Sequence, residues 1–446
     1  MKELNTRQTL SGAAQALSRW AAVRRYERAD PARTERLLLG RLRRVVDHAF
    51  DKVPFYRDLY RNVGYTRGAL RAIEDLSHLP TVSKRDFKDL PVEAITSRAV
   101  PRRHLLPSVT SGTSGELLTV WHDARRLGEL GLAILRVTGL VAPHRPWHRM
   151  LYVYTSRFPV TSVLGLFPMT FVPTTASPER IEAEWRRVRP DVVWIYPSRL
   201  KDLIEGGLEA PRTRLISVGS ELSTPQERLT WEDRLGSPVR DQYATEELGL
   251  VAAECRHRSR HAFSDLCHTE ILGPDGRRRR IGEVGEVVGT NLENLATPFI
   301  RYRQGDRAAV RRSRCPCGRT LRILDPIEGR SRVTLVTQAG EPVGSGVLID
   351  ALYGLVLQLR LPLRGYRLVA GTPPTLLLAG DVSDRQAAAA ADFVLHETGL
   401  AVSPRIVRRL PDGAAGKRET VIGPASNSHG SEVEDVEDDP AGDVGG

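Results

Sequence analysis

Long apolar runs are missing from this 446-residue chain, and cysteine and lysine are scarce in it. No apolar stretch reaches the roughly 18 to 20 residues that a membrane-spanning helix needs, and the opening "MKELNTRQTLSGAAQ" lacks the apolar block of a secretory signal. The expectation is a soluble, cytoplasmic protein that engages no membrane. Four cysteines, Cys255, Cys267, Cys315 and Cys317, are too few for a disulfide framework in a chain this long, and their grouping points toward a metal. Lysine is confined to Lys2, Lys52, Lys84, Lys88, Lys201 and Lys417, six of the 65 basic residues, so each is a more informative residue than a lysine usually is.

What is abundant is arginine. A formal charge of +11 would suit a nucleic-acid binder, but the arginines are spread through every segment and not gathered into a stripe. The excess reads as background, compatible with an anionic small substrate, and no nucleic-acid partner is expected.

Apolar periodicity divides the chain. From Thr34 to Leu90 apolar and charged residues alternate at helical spacing, as in "LLLGRLRRVVDHAF", broken by "KVPFYRD" and closed by "LPTVSKRDF". From Leu105 to about Val310 short apolar runs alternate with helical patterns. "RMLYVYTS", "DVVWIYPS", "RLISVGSEL" and "GEVVGTNLE" read as strands ending in small or polar residues, which argues an α/β domain. "ILDPIEGRSRVTLVT" reads as a linker entering another strand. A smaller α+β unit follows, with strands in "YRLVAG", "PTLLLAG" and "PRIVRRL" and a helix in "SDRQAAAAADFVLHETG". The tail after Gly423 is acidic and aperiodic, the composition of a disordered segment.

The stretch with most chemistry in it is "VTSGTSGE". Gly112 and Gly115 permit tight turns, while the hydroxyls of Ser111, Thr113 and Ser114 and the exposed amides can surround a polyphosphate. No Gly-Lys-Ser/Thr follows, so it is not the Walker type, and a plain Ser/Gly surface loop is the alternative. "ECRHRSRH" and "CPCGR" supply Cys255, His261, Cys315 and Cys317, three thiolates and an imidazole suited to tetrahedral zinc, with His257, His268 and Cys267 as competing ligands.

Taken together these stretches resemble the adenylate-forming superfamily of acyl- and aryl-CoA ligases, and within it the phenylacetate–CoA ligase-like branch, which includes capsule-biosynthesis proteins. Ser111, Gly112, Thr113, Ser114 and Gly115 match the family's phosphate loop. "SVGSEL" resembles its adenine-contacting turn, giving Gly219, Ser220 and Glu221. "DQYATEELG" resembles the Tyr-Gly-x-Thr-Glu element, whose ring lies on adenine and whose Glu holds magnesium. Counting from Tyr243 without a gap puts Glu247 at the metal position, the preferred register; one deletion puts Thr245 and Glu246 at the Thr and Glu positions instead. "TPFIRYRQGD" matches the Tyr-Arg-x-Gly-Asp element, with Arg301, Tyr302, Arg303, Gly305 and Asp306, the last a ribose ligand. "EGRSRV" resembles the hinge, carrying over Arg330 but with Arg332 where the family has aspartate. "GKRETVI" resembles the terminal motif whose lysine, here Lys417, stabilises charge during adenylation.

The resemblance implies a large N-terminal adenylate-forming α/β domain plus a small, mobile C-terminal α+β domain. Its boundaries would be a helical lead-in at 1–90 packed on the large domain, the large-domain core at 91–325, a hinge at 326–333, a small domain at 334–423 and the tail at 424–446. It implies ATP, magnesium and coenzyme A, a structural zinc on a Cys/His set that some members carry, and a small carboxylic acid as substrate. Trp194, Tyr196 and Ser198 would line the acyl pocket, where two aromatic rings suit a flat or aryl acid, although aromatics on a buried strand are also ordinary core. An acceptor other than coenzyme A, a homologue that binds nucleotide without turnover, and a homodimer are left open.

Overall fold

The computed structural model describes residues 18–88, 90–109, 118–123, 130–154, 167–174, 176–311, 314–330, 335–337, 339–340, 342–343, 348, 351–352, 355, 359–408, 410 and 421–422. The chain forms two compact units, Met1–Gly329 and Arg330–Gly446. Among the described residues no helix is long and apolar enough to cross a membrane.

The first unit is organised around one twelve-stranded sheet. Its parallel half runs β5(Met169–Pro173), β4(Met150–Tyr154), β6(Val192–Ile195), β7(Leu215–Gly219) and β8(Val239–Thr245). Period-two alternation gives β4, β6 and β7 two apolar faces. Leu151, Val153, Val193, Ile195, Ile216 and Val218 pack with Ile181, Trp185, Leu200 and Trp231 of the crossover helices on one side. Met150, Tyr152, Val192, Trp194 and Leu215 pack with Ile134, Val137 and Leu140 on the other. The helices start where the sequence supplies caps: Ser177 accepts from the Arg180 amide, and Thr224 with Glu227 forms a capping box.

Beyond β8 the sheet turns antiparallel. The order continues through β9(Gly249–Glu254), β10(Arg260–Ala262), β14(Ile323–Arg330), β13(Tyr302–Arg311), β12(Gly285–Asn291) and β11(Cys267–Leu272). The short β1(Val82–Ser83) pairs with β13 in parallel. "ILDPIEGR" is therefore a strand and not the linker that its Pro326 and Gly329 suggest, because pairing with β10 and β13 supplies the backbone partners that override local punctuation. The helices Pro31–Lys52 and Pro54–Arg61 share a core with Val82, Phe299, Ile300 and Tyr302, so the N-terminal segment is integral to this unit. A separate hairpin, β2(Leu105–Val109) and β3(Thr119–Asp123), is antiparallel with Val109 opposite Thr119.

The second unit has a four-stranded sheet, β19(Ser403–Val407), β18(Thr375–Gly380), β17(Leu363–Val369) and β20(Val421–Ile422). The helix Asp384–Thr398, with a Ser383–Gln386 capping box and Gly399 in the left-handed C-cap, contributes Ala390 and Val394 to a core with Leu368, Leu376 and Leu378.

One polar network lies inside the first unit. Arg136 donates from Nε to Glu27 (3.1 Å) and from Nη1 to Asp265 (3.0 Å), and Arg319 donates to the other Glu27 oxygen (3.0 Å). All four side chains are buried. Arg136→Ala strands the Asp265 carboxylate in the core and leaves Glu27 to Arg319 alone, and is expected to cost about 3–5 kcal/mol, the range for breaking a buried ion pair. Denaturant unfolding checks this; a loss below about 1 kcal/mol would show that the network contributes no more than an exposed pair.

Candidate active site

In open α/β sheets ligands bind beyond the carboxyl ends of the parallel strands, near a switch in strand order. Here that edge includes the turn after β7, the end of β8 and the switch from parallel to antiparallel pairing at β8–β9. Gly219 ends β7, and a Cβ there would sit 2.7 Å from both the Gln242 Cγ and its carbonyl, so only glycine fits. Ser220 follows in the left-handed region, φ 69°, which a non-glycine residue adopts at some cost. Glu221 is turned to the helix Pro197–Glu205, accepting from the Ser198 amide (2.9 Å) and hydroxyl (3.1 Å). Ser198 and Glu221, assigned to the acyl pocket and the adenine turn respectively, are thus one capping interaction.

The register of β8 against β9 shifts between Tyr243 and Ala244, re-aiming the residues that follow. Thr245 Oγ1 accepts from the Leu248 amide at 3.1 Å, closing the turn. The two adjacent carboxylates then point differently. Glu247 is 5% exposed and accepts from the Tyr302 hydroxyl at 2.9 Å, and its carbonyl accepts from Asn291. Glu246 keeps a side-chain exposure of 33% and accepts from His122 Nε2 at 3.0 Å. Burial works to raise the Glu246 pKa, but hydrogen bonds from His122 and Ser108 outweigh it and hold the carboxyl below its usual range. A carboxylate enclosed in the core under a tyrosine hydroxyl is badly placed to serve a hydrated cation. The arrangement therefore disfavours the preferred Glu247 register and favours the alternative with Thr245 and Glu246.

The "RYRQGD" strand is read through its alternation. Tyr302, Gln304 and Asp306 share one buried face of β13. Tyr302 reaches Glu247; the Tyr243 hydroxyl donates to Asp306 Oδ2 at 2.7 Å, and Gln304 Nε2 contacts the same hydroxyl. The tyrosine expected to lie on adenine and the carboxylate expected to hold the ribose are therefore in direct contact. Arg301 and Arg303 are not part of this cluster. Arg301 is buried on Glu270 (3.0 and 3.2 Å) and the carbonyls of Ser77 and Leu79, and Arg303 is paired with Glu286.

Trp194 and Tyr196 are buried in an aromatic group with Tyr152 and Tyr154. The Tyr152 and Tyr154 rings stack at 4.3 Å, and Gln242 Nε2 donates to the Tyr154 hydroxyl at 3.2 Å. Burial first, then its tyrosine neighbours and the Glu246 carboxylate, push the Tyr152 phenol well above its ordinary range. The aromatic group is thus near enough to Glu246 to feel its charge. Tyr152, Tyr154 and Gln242 were not singled out from the sequence, although the first two stand at the end of a strand that the sequence reveals.

A second cluster converges elsewhere in the same unit. One ligand atom from each of Cys255, His261, Cys315 and Cys317 lies within 4.8 Å of the others. The Cys255 and Cys315 sulfurs are 3.5 Å apart, and Cys317 Sγ is 3.2 Å from His261 Nε2. Burial pushes the His261 pKa down to about 4, leaving at neutral pH the uncharged imidazole a metal requires. The His257 amide donates to Cys255 Sγ at 3.3 Å, the kind of outer contact that orients a thiolate ligand. The donor set fits tetrahedral zinc. Of the competing ligands, Cys267 and His268 are buried outside the group, with the Cys267 thiol pushed up to about 12 and the His268 pKa down to about 3 by burial. His257 contributes its backbone instead, its ring accepting from Arg256. Ser111, Gly112, Thr113, Ser114, Gly115, Arg332 and Lys417 lie outside the described residues, as does the side chain of Arg330.

No protein-family model matches the chain. It is 29% identical over 317 residues to the phenylacetate–coenzyme A ligase of Thermus thermophilus, covering 66% of this chain and 70% of the relative. It is likewise 29% identical over 335 residues to the Escherichia coli phenylacetate–coenzyme A ligase, covering 70% and 74%. Among solved structures, 2-hydroxyisobutyryl-CoA ligase with a bound acyl-AMP aligns over 90% of this chain and 91% of its own, with TM-score 0.75 and 20% identity. An amide bond synthetase from Marinactinospora thermotolerans aligns over 72% and 69%, with TM-score 0.51 and 16% identity. The chain is an adenylate-forming ligase, similar over about two thirds of its length to the phenylacetate–CoA ligases.

Proposed function

We propose that the protein activates a small carboxylic acid with ATP, releasing pyrophosphate, and transfers the acyl group from acyl-AMP to the thiol of coenzyme A. The acid's carboxylate oxygen attacks the α-phosphorus and the bond to the β-phosphate oxygen breaks. The thiol then attacks the acyl carbon and AMP leaves. A cytoplasmic setting, where ATP and coenzyme A are present, suits both steps. The observation that carries the reading is the contact of Tyr243 with Asp306, with Thr245 and Glu246 following Tyr243 at the β8–β9 turn and Glu246 held by His122 of the β2–β3 hairpin.

In this reading the Tyr243 ring lies against adenine and Asp306 accepts from the ribose hydroxyls. Glu246, a hard oxygen donor with part of its surface open, serves magnesium, which when bound neutralises charge on the phosphates. Ser111 to Gly115 wrap the phosphates with backbone amides, Arg330 approaches the ribose or phosphate, and Lys417, carried by the 334–423 domain, stabilises charge at the reacting oxygens. Trp194, Tyr196, Tyr152 and Tyr154 form the aromatic wall of the acid's pocket, which favours an aryl acid. Cys255, His261, Cys315 and Cys317 hold a structural zinc. A non-CoA acceptor such as an amine is favoured by Arg332 at the hinge position where the family has aspartate.

Pyrophosphate release measured against a panel of aryl and aliphatic acids, with and without coenzyme A, tests this. The expected result is turnover with an aryl acid that forms a thioester only when the thiol is present. Turnover to free acyl-AMP or an amide without thioester would give the acceptor to another nucleophile. No release with any acid, while ATP still binds, would overturn the enzymatic reading.

A further inference from the structure

Among the described residues the β2–β3 hairpin forms a sheet of its own, so its place in the unit depends on contacts other than pairing with the twelve-stranded sheet. Three are made by successive stretches of β3 and its surroundings. The Trp121 amide donates to Thr297 Oγ1 (3.2 Å), Asn294 Nδ2 donates to the Trp121 carbonyl (3.1 Å), and His122 Nε2 donates to Glu246 Oε1 (3.0 Å). Ser108, on β2, also hydrogen-bonds the Glu246 carboxylate. The first two contacts hold the backbone of the hairpin. The last two tie side chains from both of its strands to one carboxylate, and that carboxylate follows the strand carrying Tyr243 and Thr245.

A carboxylate only accepts hydrogen bonds, so the hydrogen of this contact is on His122 Nε2. His122 is three residues beyond Thr119, the residue paired with Val109 at the mouth of the 110–118 connection. The same short hairpin therefore presents, one from each of its strands, the two groups that hold Glu246. Without them a glutamate at a strand end has several rotamers and loses freedom when it takes up a ligand.

We infer that His122, assisted by Ser108, is a positioning residue for the metal-bearing carboxylate: it holds Glu246 toward the hairpin, in one orientation for a magnesium ion that Glu246 would take up. This rests on the reading that Glu246, and not Glu247, serves magnesium. The role asks of His122 a hydrogen-bond donor at one place and no proton transfer. Groups that orient a metal ligand in this way typically contribute about 10- to 100-fold to metal affinity.

The test is calorimetric binding of ATP to the full-length protein without acid, in EDTA and then at increasing magnesium, for wild type, His122→Ala, His122→Gln and Glu246→Gln. In EDTA, His122→Ala is expected to bind ATP as wild type does. The gain in ATP affinity that magnesium confers should fall by about tenfold in His122→Ala, recover largely in His122→Gln, whose amide can donate, and vanish in Glu246→Gln. If Glu246→Gln loses the gain and His122→Ala keeps it, the positioning role is wrong and the metal assignment stands. If Glu246→Gln keeps it, the metal assignment falls and the inference with it. Equal losses in His122→Ala and His122→Gln, with ATP binding in EDTA weakened in parallel, would show the histidine to be a packing residue only.

Discussion

Lys417→Ala is expected to lower acyl-AMP formation by about a hundred- to a thousand-fold, the range for removing one group that stabilises developing charge, while ATP affinity changes little. Attack of a carboxylate on the α-phosphate brings two anions together and places further negative charge on non-bridging oxygens. A compact ammonium on a flexible stem can sit between them. A guanidinium is a planar fork with a different reach, so Lys417→Arg should not restore the rate. The scarcity of lysine sharpens the argument, because a chain that uses arginine almost everywhere else keeps lysine behind Gly416. Pyrophosphate release checks the first half-reaction, and thioester formation from supplied acyl-AMP checks the second, which should be retained. A Lys417→Ala protein that adenylates at the wild-type rate would remove this lysine from the mechanism.

The second large effect concerns the Cys/His cluster. The purified protein is expected to carry about one zinc per chain, and Cys315→Ser or prolonged chelation should remove it. Structural zinc contributes directly to folding free energy, and two or more thiols left together in the core have no comparable partner. The ligands come from the end of β9 and from β10, and from the turn between β13 and β14, so the ion would staple two neighbouring connections that are remote in sequence. The effect should extend beyond the cluster. Arg260, beside the ligand His261, pairs with Asp241 on β8 (2.8 Å) and with Asp325 on β14 (3.2 Å), while Glu254 accepts from the Asp241 amide. Loss of metal should therefore lower the unfolding temperature and weaken nucleotide binding together. Metal analysis with thermal unfolding decides it; protein that is fully stable and free of zinc would identify the four residues as plain core.

The parallel strands were legible because their apolar runs are short, continuous and bounded by small or polar residues, and β4, β6 and β7 lie where those runs are. β14 was not, since Pro326 and Gly329 are local signals of a turn and the partners that overrule them come from β10 and β13, remote in sequence. The site shows the same division. Tyr243, Asp306 and Gly219 stand in recognisable patterns, and the structure brings Tyr243 onto Asp306. The choice between Glu246 and Glu247 depends on a register shift at Tyr243–Ala244, which one-dimensional spacing does not encode. Arg301 belongs to the matched pattern yet is committed to Glu270, because a left-handed backbone (φ 49°) and burial turn it inward. His122 could not be found by spacing at all, as its partner is 124 residues away.

The pairing of Val82 with Tyr302 has a consequence for the making of the protein. The strand bearing Asp306 acquires its parallel neighbour from the N-terminal segment, which leaves the ribosome roughly 220 residues earlier. At about 5–20 residues per second, that segment waits on the order of ten to forty seconds before its partner exists. During that interval Tyr56, Tyr60 and Phe87, which end in one core with Phe299 and Tyr302, have no finished surface to cover them. Synthesis in the cell is thus the stage at which this ligase is most exposed to aggregation, and a chaperone that holds the nascent N-terminus would act there.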